Sequence, residues 1–381
     1  MKTNSVLQLA ALLVALAPSF SAAQFFGDPP DKQHPWAKHD HNRPVPQDVQ
    51  PGDKPGAPPS DAIVLFDGTE ASFKKNWVHI REKRKTDWAI VDGTMQSMKG
   101  AGYIATKEEF GDCQLHVEWK APSVINGAGQ GRGNSGIFLM GVAEVQVLDN
   151  FNNPTYADGW AGSVYGVMPP MVNPLRAPGE WQTYDIVFRR PIVKDGKVVD
   201  EGSMTVFING VLVQDAVPLE GGGGYRKRTH PKGLGDVGPL KLQDHGNPVQ
   251  FRNVWYRALR KRPADGGSDG RLSVEATMAK RAEIADMVLK DAKSLDGQDK
   301  MLRLLESLCY RSDDVILKEV SAMGENFVTD VQSKPDAIES RKNEVVKVYR
   351  AFKFMNDHKL IEDLKVYQDL NQIMEKNKWK R

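Results

Sequence analysis

Acid–base chemistry needs carboxylates and imidazoles held at fixed positions, and in this sequence such residues fall on short apolar–polar alternations. In Glu144-Val145-Gln146-Val147-Leu148 the polar residues alternate with apolar ones. Side chains alternate between the faces of an extended strand, so Glu144 and Gln146 share one face and Val145 and Val147 the other. The same geometry puts His116 with Glu118, opposed by Leu115, Val117 and Trp119, and puts Gln243 with His245 near Leu242. A solvated outer sheet face also alternates in this way. Such faces favour Lys, Thr and Ser, however, whereas this set is Glu, Gln and His. The pattern alone leaves both a binding groove and a solvated face open.

Other motifs carry less. The run Gly127-Ala128-Gly129-Gln130-Gly131-Arg132-Gly133-Asn134-Ser135-Gly136 lacks the G-x-G-x-x-G spacing and a following Lys-Ser/Thr, and a strand pattern follows it rather than a helix. A flexible loop beside a site fits it better than a nucleotide cradle. Asp149, at the end of the Glu144 strand, either caps a turn or coordinates a cation, and capping is the commoner role. His39-Asp40-His41 has alternating metal-type ligands, yet a solvated linker explains it more simply. No Ser sits in a G-x-S-x-G elbow, and Cys113 and Cys309 lack a neighbouring His signal, so two free thiols are expected.

The elements that position these residues follow from composition. The chain has 381 residues, 51 basic against 49 acidic, with 40% hydrophobic residues. That balance fits a folded chain and supplies no field favouring nucleic acid or an anionic membrane. Two cysteines exclude a disulfide-rich scaffold. Lys2, the apolar run Val6 to Ala17 and the small residues Ser21-Ala22-Ala23 read as a cleavable export signal over residues 1–23. A periplasmic or secreted product is therefore expected, and no later stretch is long and apolar enough to form an integral membrane segment. Residues 24–60, with nine prolines after position 26, read as a linker or as a strap pinned to the following domain by Trp36.

Over residues 61–262 the chain becomes β-rich. It holds 26 of the 34 glycines and six of the eight tryptophans. Short strands such as Ile63–Phe66, Gln114–Trp119, Trp181–Phe188 and Ser203–Ile208 recur between Gly, Pro, Asn and Asp loops. No helix-length pattern intervenes, which predicts an antiparallel β-sandwich. Asn209-Gly210 predicts a tight hairpin turn. Residues 263–270 are a Gly-rich linker. Residues 271–381, with two glycines and one proline, show helical spacing at Ile284, Val288 and Ala292 and at Leu302, Leu305 and Leu308. Four or five helices in an α-helical bundle are expected, one starting at Ser333-Lys334-Pro335-Asp336.

The order of the β-rich blocks carries a resemblance. Leu65-Phe66-Asp67-Gly68, Gly133-Asn134-Ser135-Gly136-Ile137-Phe138-Leu139, Glu144–Asp149, Gly179–Asp185 and Leu242-Gln243-Asp244-His245-Gly246-Asn247-Pro248 through Asn253 occur in sequence. Over about residues 62–260 the chain resembles the 3-keto-disaccharide hydrolase domain family, which implies a concanavalin A-like jelly roll with a sugar-binding face. The resemblance does not reach the helical region. It implies that Glu118, Glu144, Gln146 and His245 share one groove, with Glu144, His245 and Glu118 as candidates for the chemistry and Gln146, Gln243, Asn134 and Asp149 as candidates for binding substrate. Trp160 and Tyr165 either stack on a sugar ring or pack in the core.

A 3-keto sugar acidifies the hydrogen on carbon 2, so a base can form an enolate whose collapse expels the substituent on carbon 1, with water adding afterwards. Such a site needs a base, a stabiliser for the enolate oxygen and an acid. Either Glu144 or His245 could be the acid or the base. Glu118 with Glu144 could instead form the two-carboxylate arrangement of an ordinary glycosidase. No cofactor is certain from the sequence, and the stabiliser of the enolate oxygen is either a set of hydrogen-bond donors or a divalent cation. The alternative is a non-catalytic carbohydrate-binding or surface-interaction protein whose helical region docks a protein partner.

Overall fold

The computed structural model describes residues 27–81, 85–221, 223–228, 234–262, 271–362 and 364–379. The expected signal (1–23) and the linker (263–270) lie outside the described residues. The chain divides into two compact units, residues 46–269 and residues 1–45 with 270–381.

The β unit is a sandwich of two antiparallel sheets. One has five strands in the order Trp77–His79, Ile104–Phe110, Gly238–Leu242, Ser135–Leu139 and Ala143–Val147. The larger sheet runs Val211–Val217, Ser203–Ile208, Gln182–Arg189, Cys113–Lys120, Gln250–Ala258, Thr94–Gln96 and Ala89–Val91, and Ile63–Phe66 also pairs with Gln250–Ala258. Neighbours far apart in sequence, such as Gly238–Leu242 between Ile104–Phe110 and Ser135–Leu139, give the crossed connections of a jelly roll. Period-2 alternation builds the core. Leu115, Val117 and Trp119 meet Tyr184, Ile186 and Phe188 there, all at most 1% exposed. Full burial of each such side chain is worth about 1.5–3 kcal/mol. Asn209 and Gly210 turn with φ of 51° and 81°, the two positive values a primed hairpin needs.

The helical unit has five described α-helices: Val274–Ala292, Gly297–Tyr310, Asp314–Ser333, Lys342–Asp357 and Lys365–Lys376. Ser273 and Asp313 cap the first and third, each accepting from backbone N–H groups of the first turn. Pro335 opens a single 3-10 turn, Pro335–Ala337, rather than a helix; the next α-helix starts at Lys342.

The proline-rich segment is divided between the units, which corrects its reading as one strap on the β domain. Trp36 packs against the helical core. Asp40 is not a solvated metal ligand in waiting: its carboxylate accepts from the Ala37 and Asn42 N–H groups and from the Tyr310 hydroxyl at 2.8 Å. Asn42 donates to Glu306 at 2.6 Å. The later part, in the β unit, lies on the outer face of the larger sheet, where the Gly56 carbonyl accepts from Asn253 Nδ2 at 2.7 Å and Trp255 Nε1 at 2.9 Å. Gly56 has φ +82°, and a Cβ there would come within 3.2 Å of the His116 ring. A chain cut after residue 262 therefore leaves residues 27–45 without their helical partners. The expected outcome is a cooperative melt for residues 46–262 alone, and rapid protease cleavage within 27–45 when that segment is attached without the helices. An insoluble 46–262 fragment would show that the β unit depends on the rest of the chain.

Candidate active site

The edge strand Ala143–Val147 carries the central residues. Val145 and Val147 enter the core, each 0% exposed, while Glu144 and Gln146 turn to the outer face. The strand does not end the sheet openly. Gly162 and Tyr165 donate backbone N–H bonds to the carbonyls of Gln146 and Glu144, and Gln146 donates to Ser163. This added segment brings Tyr165 over the sheet, where its hydroxyl lies 2.9 Å from that of Tyr156.

The outcome is a cavity of about 620 Å³, within the size range of small-molecule sites. Glu144, Gln146, Asn134, Gln243, His245 and Tyr165 line it together, so six of the nine residues expected from sequence meet at one place. Tyr103, Gln130, Phe138, Tyr156 and Tyr225 also line it. None of these five shows a polar alternation. Gln130 lies inside the Gly-rich run, the only sequence feature that marks it.

The two family-like blocks are explained residue by residue. The Ser135 hydroxyl donates to the Gln243 carbonyl at 2.6 Å, and the Gln243 N–H donates to the Gly136 carbonyl, locking the two blocks together. Glu144 Oε1 occupies the space a Cβ on Gly136 would fill, so glycine is needed for the carboxyl to lie where it does. Asp244 accepts from the Gly102 and Gly246 N–H groups, and Asn247 Oδ1 accepts from Gly133 N–H at 3.0 Å. Gln243 donates to the Tyr103 hydroxyl at 2.6 Å, while its buried Oε1 has no partner among the described residues. An unsatisfied buried acceptor costs about 1–3 kcal/mol, and a ligand hydroxyl would relieve it.

Burial pushes the Glu144 carboxyl up to about 8. Its side chain is 8% exposed, and loss of hydration disfavours the charged form. Tyr165 is raised first by burial and then by its bond with Tyr156 and the nearby Glu144.

Three expected site residues lie elsewhere. Glu118 sits on the larger sheet, where it accepts from Arg252 Nε at 2.6 Å and Asn253 Nδ2 at 2.9 Å. Burial opposes its ionisation, but the hydrogen bonds from His116, Asn253 and Arg252 prevail and hold it at about 2. It is a fixed carboxylate in a structural cluster with His116, which bonds Asp185 at 2.7 Å and stacks on Trp255. Asp149 makes a two-pronged ion pair with Arg132, at 2.7 and 3.0 Å. Trp160 donates its indole N–H to the Thr155 carbonyl and does not line the cavity. The Gly-rich loop is pinned rather than loose: Asn153 bonds both the N–H and the carbonyl of Gly129. Among the described residues no group of three His, Cys, Asp or Glu side chains could hold a metal ion, and no helix is long and apolar enough to cross a membrane.

Fold and cavity together define a jelly-roll sandwich with a polar, tyrosine-walled pocket on its smaller sheet. The chain belongs to the family of the 3-keto-alpha-glucoside-1,2-lyase-like domain, which matches residues 61–257, just over half of the sequence. It is 27% identical over 240 residues to a 3-keto-disaccharide hydrolase of Bacteroides thetaiotaomicron, covering 52% of this chain and 78% of that one. It is also similar to the crystal structure of a candidate glycosyl hydrolase from Parabacteroides distasonis ATCC 8503. That likeness has a TM-score of 0.53 at 43% identity and covers 57% of this chain and 93% of that one.

Proposed function

We propose that the cavity processes 3-keto-glycosides by eliminating the substituent on carbon 1 through an enolate and then adding water. The observation that carries this reading is the inventory of the walls. Among the described lining residues Glu144 is the one carboxyl, accompanied by His245, amides and tyrosines. Direct glycoside hydrolysis uses two carboxylates flanking the bond, and Glu118, the partner expected for that role, lies on the other sheet. Elimination asks for less. A base takes the carbon-2 hydrogen, the electron pair moves onto the ketone oxygen as the enolate, and the carbon 1–oxygen bond breaks with a proton passing to the departing oxygen. Glu144 and His245 divide the acid and base duties, and Asn134, Gln243 and Tyr103 offer hydrogen bonds to the sugar and the enolate. The family and the named relatives support the substrate class.

The test is turnover of a panel of 3-keto-glycosides, with the corresponding unoxidised glycosides as controls and with and without chelator. Cleavage confined to the 3-keto compounds is expected. Equal cleavage of both sets would reject the enolate route, and saturable binding without turnover would make the domain a carbohydrate-binding module. His245→Ala is expected to lower kcat by about a hundred- to ten-thousand-fold, the usual cost of losing a positioned acid or base. Unchanged kcat would remove His245 from the chemistry. We further propose that the chain is exported with cleavage near Ala23; N-terminal sequencing of the mature product checks it, and an intact Met1 on a cytoplasmic product would refute it.

A further inference from the structure

The side-chain amides beside Glu144 form a chain whose direction is set at its far end. Gln130 Nε2 donates to the Gly159 carbonyl at 2.8 Å and to Thr155 Oγ1 at 3.3 Å. A carbonyl can only accept, so Gln130 must turn its Oε1 the other way. Asn134 is oriented independently, donating through Nδ2 to the Gln130 backbone carbonyl at 2.7 Å and to Gln130 Oε1 at 3.2 Å. Gln146, 2% exposed, then donates its Nε2 to Gln130 Oε1 at 3.1 Å. This leaves Gln146 Oε1 facing Glu144 Oε1 at 3.2 Å and the Ser135 carbonyl oxygen at 3.3 Å. Neither carbonyl oxygen can carry a proton, so a proton on the Glu144 carboxyl is what turns the first of these contacts into a hydrogen bond. Turning the Gln146 amide over would let it donate to Glu144 and to the Ser135 carbonyl, but would set its oxygen against Gln130 Oε1 at 3.1 Å.

We propose that Gln130 and Gln146 are positioning residues whose fixed amide direction holds Glu144 as a neutral carboxylic acid, so that Glu144 enters the reaction carrying the proton. This rests on the glycoside-processing reading of the cavity for its catalytic consequence, though not for the protonation state itself. The departing oxygen takes the Glu144 proton as the carbon 1–oxygen bond breaks. When water then adds, its hydroxyl bonds carbon 1, its proton returns Glu144 to the acid, and the base gives its proton back to carbon 2. The base is then a different group. Of the other described side chains on the walls that could take a proton, Tyr103, Tyr156, Tyr165, Tyr225 and His245, the imidazole is the one with a nitrogen lone pair to accept it. Burial acts in the same direction as the amide chain, pushing the carboxyl up.

The test follows the Glu144 carboxyl carbon in the full chain by NMR with carbon-13-labelled glutamate, assigned by its loss in Glu144→Gln, without any substrate. Gln130→Met removes the acceptor that holds Gln146, freeing that amide to turn and donate to a carboxylate. The expected result is a titration midpoint at least one pH unit lower than in the parent, a tenfold change in the proton's affinity. An unmoved midpoint in a folded Gln130→Met chain would overturn the proposal, since burial alone would then set the charge state. If that variant does not fold, neutron diffraction of the unaltered chain decides. Deuterium on Glu144 facing Gln146, with the Gln146 amide deuteriums on Gln130, supports the relay; amide deuteriums turned onto Glu144 overturn it. These readouts need no turnover, so they remain decisive even if the substrate panel fails.

Discussion

Glu144→Gln is expected to lower kcat by about a hundred- to ten-thousand-fold while making the protein more stable at neutral and alkaline pH. The two effects have one cause. The carboxyl has an ordinary value of 4.5 and is carried up to about 8 by burial, so between those values the folded chain keeps a proton that the unfolded chain has released. Stability depends on that difference in bound protons. The contribution is full below about pH 4.5 and is lost progressively as the pH climbs through about 8. Each unit of difference is worth about 1.4 kcal/mol, so the parent gives up a few kcal/mol across the window. Glutamine does not titrate and escapes this loss. Its Nε2 can also donate to Gln146 Oε1, replacing the carboxyl proton in the amide chain, so KM should change little. Melting temperatures at pH 4, 7 and 9 together with steady-state kinetics check this. The variant should match the parent near pH 4 and exceed it increasingly above. Equal melting temperatures at every pH would show that Glu144 is not a buried, protonated group.

The strand alternation was enough to find this residue. Glu144 and Gln146 were legible because period 2 assigns faces without any knowledge of the partner strand. Gln243 and His245 reach the same cavity from the loop after a strand that ends at Leu242, so the shared strand face read for them is corrected. The same rule could not tell which face belongs to which sheet. His116 and Glu118 obey it equally well, yet they lie on the larger sheet, where residues near Gly56 cover them and Arg252 holds the carboxylate ionised. Faces are local; the sheet a strand joins depends on pairing partners about seventy to one hundred and forty residues away, such as Gln182–Arg189 and Gln250–Ala258. The aromatic wall was hidden for a similar reason. Tyr103, Tyr156 and Tyr225 come from three separate loops, and loops carry no periodicity.

Fold class was more legible than connectivity. Strand positions followed from β-branched and aromatic runs between turn residues, and Ile63–Phe66 and Ser203–Ile208 match in full. The helical region followed from the disappearance of glycine. The division of the proline-rich segment did not. Proline-rich composition reports backbone stiffness but not the surface a segment lies on, and the contacts that decide it are single ones: Trp36 against the helical core, and Asn42 with Asp40 on Glu306 and Tyr310.

Arg132→Met is expected to be the most destabilising of the substitutions considered, at about 3–5 kcal/mol, the usual cost of leaving one member of a buried pair alone. Asp149 is 4% exposed and Arg132 9%. Losing the guanidinium strips the carboxylate of both its short bonds and leaves it the Phe151 N–H at 3.1 Å; the Phe151 carbonyl loses its Arg132 partner as well. The damage spreads along the loop, because Arg132 adjoins Gly133 and Asn134, which bond Asn247 and Gln130. Urea titration should show a lower midpoint with an unchanged slope. The double variant Arg132→Met/Asp149→Leu should recover much of the loss, since most of the cost is an orphaned charge rather than the net worth of the pair. This outcome also separates the two roles open to Asp149. A residue that binds the sugar would, when changed to Asn, raise KM and leave the urea midpoint in place. A residue that clamps the Gly-rich loop does the reverse, and the bidentate geometry with Arg132 commits Asp149 to the clamp.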